Sequence, residues 1–247
     1  MNLTIEKTDF HEAWETAVYK VVKLGESRVI GSGEERKPIR DTSTIIVLRG
    51  KAIQQVLRHE LHPLYPTRNI EEYLQEYTDD YHSMWKQQPL TKRFAYLYYD
   101  RLINYGMCWE LSGKIYQERI DQLDILKTGL SKDVDEKISN NRHIAITWYP
   151  NPDGFSRSPP CLNLVQVRLL NESNVEVQMV WRSRDLFRAW QSNVVAVVCL
   201  LNEKVIKPDN CEIERIVDYS TSLHVYETDV PEASKVMPKA YADIFKI

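Results

Sequence analysis

The segment DLFRAWQSNVVAVVCLLNEKV, residues 185–205, constrains this chain more than any other. Its centre, Val194 to Leu201, is eight apolar residues without a break. A helix that is apolar on every side has to be buried. Yet eight residues fall far short of the roughly 20 that cross a bilayer, so this helix needs a protein core around it. The rest of the chain supplies the cover. FHEAWETAVYKVVKLG carries Phe10, Trp14, Ala17, Val18, Val21 and Val22 at helical spacing and stops at Gly25. IEEYLQEYTDDYHSMW reads as a second helix, and FAYLYYDRLINYG and YQERIDQLDILKTGL as helical or mixed segments, with Ile120, Leu123 and Leu126 on one face. TSTIIVLRG, RHIAITW, CLNLVQVRLL, VEVQMVWRS and the segment around SLHVY read as strands. With no repeat or linker, the expectation is one α+β domain over 1–247, a sheet covered by helices with the apolar helix buried.

Composition narrows the function. Lys and Arg number 32 against 35 Asp and Glu, a formal net charge of −3, so the chain is not built as a general polyanion binder and DNA is not expected as a ligand. MNLTIEKTDF has neither a basic n-region nor an apolar h-region, so a cytoplasmic protein without a membrane association is expected. Cysteines 108, 161, 199 and 211 are too widely spaced for a zinc or redox motif. Cys199 reads as a core residue, Cys108 as structural and Cys211, in PDNCEIE, as near the surface. His59 and His62 in HELH are one residue short of the HExxH spacing, and no metal is expected. Cys161 differs: it ends the loop NPDGFSRSPP and opens a strand, where a thiol is held rigidly at the edge of a cleft. Beside an arginine it would be a thiolate of lowered pKa. Cys161 and Gln166 are five apart, so a shared pocket would require a β-bulge.

Other chemistry gathers in the same half. Arg142 precedes one strand, Arg182 and Ser183 end another, Asp185 and Asn193 lie on the next helix, and His224 and Tyr226 alternate on the last strand. Paired arginines with a hydroxyl suit a phosphate. An asparagine offers one donor and one acceptor, the complement of a uracil edge.

Taken in order, IDQL (120–123), NRHIAITW (141–148), PPC (159–161), Gln166, RSRDLFRAWQSN (182–193) and SLHVY (222–226) resemble the thymidylate synthases and the related pyrimidine-nucleotide hydroxymethylases, closest to the short archaeal-type members. The resemblance implies a large mixed sheet with bulges that dimerises through the sheet. It implies 5,10-methylenetetrahydrofolate as co-substrate and a pyrimidine deoxynucleotide monophosphate as substrate. Cys161 would add to C6 of the base. Arg36, in a mobile loop EERKPIRD, would bind the phosphate with Arg182 and Ser183, joined by Arg142 from the second subunit of a homodimer. Asn193 would read the base, His224 and Tyr226 would hold the deoxyribose, and Asp185 would contact the pterin. Tyr98 and a glutamate, Glu76 in preference to Glu72 and Glu60, would serve proton transfer at C5. The tail AYADIFKI would close over the folate.

The family pattern is altered at Leu162 (usually His), Asn141 (usually Arg), Trp181 (commonly Gln) and Ala189 (commonly Gly). Asn193, where cytosine-using relatives carry Asp, favours uracil. Three functions therefore stand side by side: conversion of dUMP to dTMP, hydroxymethylation of dUMP, dCMP or CMP on the same scaffold, and a non-catalytic nucleotide- or RNA-binding homologue.

Overall fold

The computed structural model describes residues 2–31, 35–66, 69–89, 91–111 and 114–236. In chain order the elements are β1 (Asn2–Lys7), α1 (Phe10–Leu24), β2 (Glu26–Ile30), β3 (Lys37–Arg49), α2 (Lys51–Leu57), α3 (Ile70–Gln75), α4 (Asp79–Gln87), α5 (Tyr98–Ile103), β4 (Tyr105–Leu111) and β5 (Lys114–Ile120). There follow α6 (Gln122–Glu136), β6 (Ile144–Ile146), the short α7 (Pro150–Asp153), β7 (Leu162–Leu169), β8 (Asn174–Trp181), β9 (Arg184–Asp185), α8 (Trp190–Leu201), β10 (Glu212–Tyr226) and α9 (Val230–Ala233).

Eight strands form one mixed sheet in the order β1-β3-β10-β8-β7-β6, with β2 on β3 and β9 on β10; β4 and β5 make a separate hairpin. β10 runs parallel to β8 and β9 and antiparallel to β3. Alternation along the central strands sends Ile46, Leu48, Val165, Val167, Val177 and Met179 into the core beneath the helices. On the opposite face Ile45, Ile144 and Ile146 remain 37%, 44% and 40% exposed.

The apolar helix is buried as its sequence requires. Val194, Val195, Val197, Val198 and Leu201 are fully enclosed, and a π-helical turn, Asn202–Ile206, continues it. At about 1.5–3 kcal/mol for each large apolar side chain, this cluster alone is a major stabilising contribution. α1 begins where Asp9 caps the amides of His11 and Glu12, worth about 1 kcal/mol. It stops at Gly25, where a Cβ would stand 2.4 Å from the Val21 carbonyl oxygen. Trp14 of α1 donates its indole N–H to the Leu186 carbonyl at 2.9 Å and stacks on Phe187, so α1 fixes the turn that leads into α8.

Several boundaries differ from the sequence expectation. Residues 70–85 make two helices because Thr78 accepts the Tyr81 amide and caps a new start. Ile120 ends β5, and Asp121 caps α6 just after it, so Ile120 is not on that helix's apolar face. α8 starts at Trp190 rather than Asp185, because Arg184 and Asp185 pair with Leu223 and His224 of β10. Lys37 to Asp41 belong to β3, so only the start of EERKPIRD lies outside a strand, and Glu34 is outside the described residues. Cys211 is buried, not superficial. Cys199 packs against the core and donates to the Val56 carbonyl at 3.7 Å. The Cys108 side chain and the tail from residue 237 onward also fall outside the described set. Among the described residues, no helix is long and apolar enough to cross a membrane, and no three His, Cys, Asp or Glu side chains converge on a metal-sized site.

Candidate active site

The bulge that the spacing of Cys161 and Gln166 required is present. The pairing of β7 with β8 slips between Leu162 and Leu164, so Leu162 and Val165, three apart, both face the core. Gln166 itself turns elsewhere and donates to the Asn141 carbonyl at 2.6 Å.

The turn bearing Cys161 is held from two sides. Arg182, one residue past β8, donates Nε to the Pro160 carbonyl at 2.8 Å and Nη2 to the Pro159 carbonyl at 2.7 Å. The same Nη2 lies 3.7 Å from Cys161 Sγ. From the other side the Tyr98 hydroxyl accepts the Cys161 amide at 3.1 Å and the Leu162 amide at 3.4 Å. Tyr98 opens α5, and its ring packs edge-on against Trp181 at 5.8 Å and Tyr96 at 5.4 Å.

α5 is itself clamped. Arg101 makes a two-pronged, buried pair with Asp153, and Gln122 of the IDQL motif donates to the Arg101 and Ile146 carbonyls at 2.9 and 2.8 Å. Thr147 then donates to the Leu162 carbonyl. These bonds tie α5, α6, β6 and β7 around the thiol.

Tyr73, Glu76, Tyr96 and Tyr98 line a cleft of about 440 Å³ beside this turn. Asn193, in the first turn of α8, donates its amide Nδ2 to the Tyr73 hydroxyl at 2.7 Å. Of the three glutamates weighed from sequence, Glu76 lines the cleft, Glu72 is exposed and Glu60 is paired with Arg58 at 3.4 Å.

A second cleft, of about 410 Å³, holds Arg36, Lys37, Arg188, Tyr226 and Asp229. His224 sits beside it, its ring 5.1 Å from that of Tyr226. Its Nε2 is buried without a partner, an orphan that a ligand hydroxyl would satisfy. Asp185 adjoins His224 in the β9–β10 ladder and accepts the Arg188 amide at 2.9 Å. Ser183 is half-buried between the two arginines of RSR. Arg142 stands apart from both clefts: it donates to Asn140 Oδ1 at 3.2 and 2.8 Å and lines a separate cleft along α6.

Burial dominates the electrostatics. It pushes the Cys161 thiol above its ordinary value, and the Arg182 and Arg184 charges oppose that rise without reversing it. The lowered thiolate pKa expected from sequence is therefore corrected: in this structure desolvation outweighs the arginine. Burial also lifts Tyr98 well above the usual phenol range and lowers His224. The Asp185 carboxyl is raised to about 6, first by burial and then by the neighbouring Asp229 charge.

Three further residues, not singled out from sequence, belong to this region. Tyr73 and Tyr77, four apart in EEYLQEY, signal a shared helix face. Arg184, one place on from Ser183, is a fully buried cation paired with Asp218 at 2.5 Å and stacked 3.7 Å from the Trp181 ring.

A cysteine-bearing turn gripped by Arg182 thus lies beside a cleft lined by Tyr73, to whose hydroxyl the Asn193 amide is bonded. The thymidylate synthase family model matches residues 26–246, and the chain belongs to that family. Its members bind nucleotide and folate and use methylenetetrahydrofolate as co-substrate. The chain is 26% identical over 206 residues to a protein of Methanopyrus kandleri named "Putative thymidylate synthase", covering 76% of this chain and 96% of that one. Proteins of the same name from Methanothermobacter marburgensis and Methanothermobacter thermautotrophicus are 32% identical over 98 residues and 30% over 118. Those two matches cover 40% and 48% of this chain and 43% and 50% of theirs.

Proposed function

We propose that this protein transfers a one-carbon unit to C5 of dUMP, making dTMP through a covalent Cys161–C6 adduct. The observation that carries the reading is the grip of Arg182 on the Pro159–Cys161 turn, with its guanidinium 3.7 Å from the sulfur. Cys161 reacts as its anion, which the adjacent guanidinium stabilises. As the S–C6 bond forms, the C5–C6 π pair moves toward C5 and O4, and Asn193 donates to the oxygen that gains charge. Once C5 has bonded the one-carbon unit, Tyr98, Glu76 and ordered water would remove the C5 proton, the released pair displacing the amine that carried the carbon. Hydride or water adding to the exocyclic methylene would then expel the Cys161 thiolate and restore the C5–C6 double bond.

Arg36, Arg182 and Ser183 bind the phosphate, with Arg142 reaching the site from the partner of a homodimer. The exposed Ile45, Ile144 and Ile146 face supports pairing through the sheet. His224, with its orphaned Nε2, and Tyr226 hold the sugar hydroxyl. When bound, methylenetetrahydrofolate supplies the carbon and, for a methyl product, the hydride. Asp185 fits the pterin edge: a buried carboxyl raised to about 6 serves as acceptor or donor near neutrality. This reading takes the enzyme to be cytoplasmic.

The second reading is a hydroxymethylase, in which water rather than hydride completes the transfer. It is favoured by Trp181, Ala189 and Asn141, which depart from the synthase pattern. Incubation with [5-³H]dUMP and methylenetetrahydrofolate tests both. Tritium release with a dihydrofolate absorbance rise and a dTMP mass supports the synthase. Release with a hydroxymethyl mass supports the second reading. No release from wild type would leave only nucleotide or RNA binding.

A further inference from the structure

Asn193 is a carboxamide whose two ends are nearly equal in size and opposite in hydrogen-bonding sense. What stands behind it therefore decides which end a ligand meets. Behind it is Tyr73, whose hydroxyl receives Nδ2 at 2.7 Å. The Tyr77 hydroxyl, one turn further on, lies 3.2 Å from that of Tyr73, the rings crossing at 76°. Tyr73 also lines the cleft shared with Glu76 and Tyr98. With one N–H turned toward Tyr73, the amide presents its oxygen and its second N–H together on the free edge. That pair complements a pyrimidine with an N–H at position 3 and a carbonyl at position 4. A pyrimidine with a bare N3 and an amino group at position 4 needs the amide reversed, and Tyr73 must then donate rather than accept.

We propose that Tyr73, supported by Tyr77, is the specificity-determining residue that locks Asn193 in the orientation selecting uracil over cytosine nucleotides. The proposal rests on the reading that Asn193 meets the base. Tyr73 acts through Asn193 and is a positioning residue.

Isothermal calorimetry with dUMP and dCMP on the wild type, Tyr73→Phe, Tyr77→Phe and Asn193→Ala tests it. The wild type favours dUMP. Tyr73→Phe lowers the dUMP:dCMP affinity ratio by about three- to tenfold, the worth of one neutral hydrogen bond, chiefly by weakening dUMP. Tyr77→Phe moves the ratio the same way by less. An unchanged ratio in Tyr73→Phe, or equal weakening of both nucleotides, overturns the proposal while loss of dUMP binding in Asn193→Ala leaves the reading of Asn193 intact. Unaltered dUMP binding in Asn193→Ala overturns both.

Discussion

Arg182 Nη2 lies 3.7 Å from Cys161 Sγ while the same guanidinium holds the Pro159 and Pro160 carbonyls. One side chain thus shapes the turn that presents the sulfur and supplies its nearest positive charge. Lysine can supply the charge but not the fork. Arg182→Lys should therefore lower kcat/KM about 100-fold, as expected for charge-assisted hydrogen bonds of about 1.5–3 kcal/mol each. Steady-state kinetics on a variant of unchanged melting temperature checks this, and activity within a factor of three of wild type would count against the clamp.

The Cys161 thiol is raised by burial, with Arg182 the first effect opposing the rise. Alkylation by iodoacetamide, which reports the thiolate, should therefore titrate above the range of free cysteine. In Arg182→Gln the midpoint should move further alkaline, because the charge that lowers it is gone. The native state favours the protonated thiol, so this group's stabilisation is complete below its unfolded pKa. It is lost as pH rises through the higher folded value. A midpoint that falls in Arg182→Gln would contradict the assignment.

Asp185, raised to about 6, takes up a proton in the native state more readily than in the unfolded chain. Its contribution is therefore favourable below about pH 4 and is withdrawn as pH climbs to about 6. Asp185→Asn keeps an acceptor for the Arg188 amide and removes this dependence. At pH 7 it should stabilise the fold by roughly 1–3 kcal/mol while reducing folate-dependent turnover. Melting curves of both proteins from pH 4 to 7 check the first claim, and parallel curves would refute it.

The buried Arg184–Asp218 pair, with Trp190 donating to the same carboxylate at 2.7 Å, lies behind the Trp181 ring. Arg184→Met alone should cost about 3–5 kcal/mol, because it strands a buried charge. Adding Asp218→Leu should recover most of that loss. Urea unfolding of the two variants measures it. Equal stability of the single and double variants would show that the pair is not energetically coupled.

How legible all this was varied with the physics involved. Apolar runs and helical spacing carried α1 and α8, because burial writes itself into every third or fourth residue. The motif from Arg182 to Asn193 named its residues but not their frame: Asp185 looked helical because a two-residue ladder with β10 leaves no periodic trace. The break at Thr78 was hidden by acidic residues that suit either a helix interior or a helix start. The direction of the thiol's shift is not legible in sequence, which names the arginine but not the depth of the pocket. Arg142 is the opposite case: the role proposed for it concerns a second subunit, and among the described residues its hydrogen bonds go to Asn140.

β10 gains one residue on β3 between Ser220 and Leu223, so Ser220 and Leu223 share a face although three apart. His224 and Tyr226 owe their outlook to that single extra residue. Removal of Thr221 would interchange the imidazole and phenol with Leu223 and Val225, leaving an apolar lining in place of two hydrogen-bonding groups. A substitution along this strand alters one side chain, whereas a change of length by one turns over every residue beyond it.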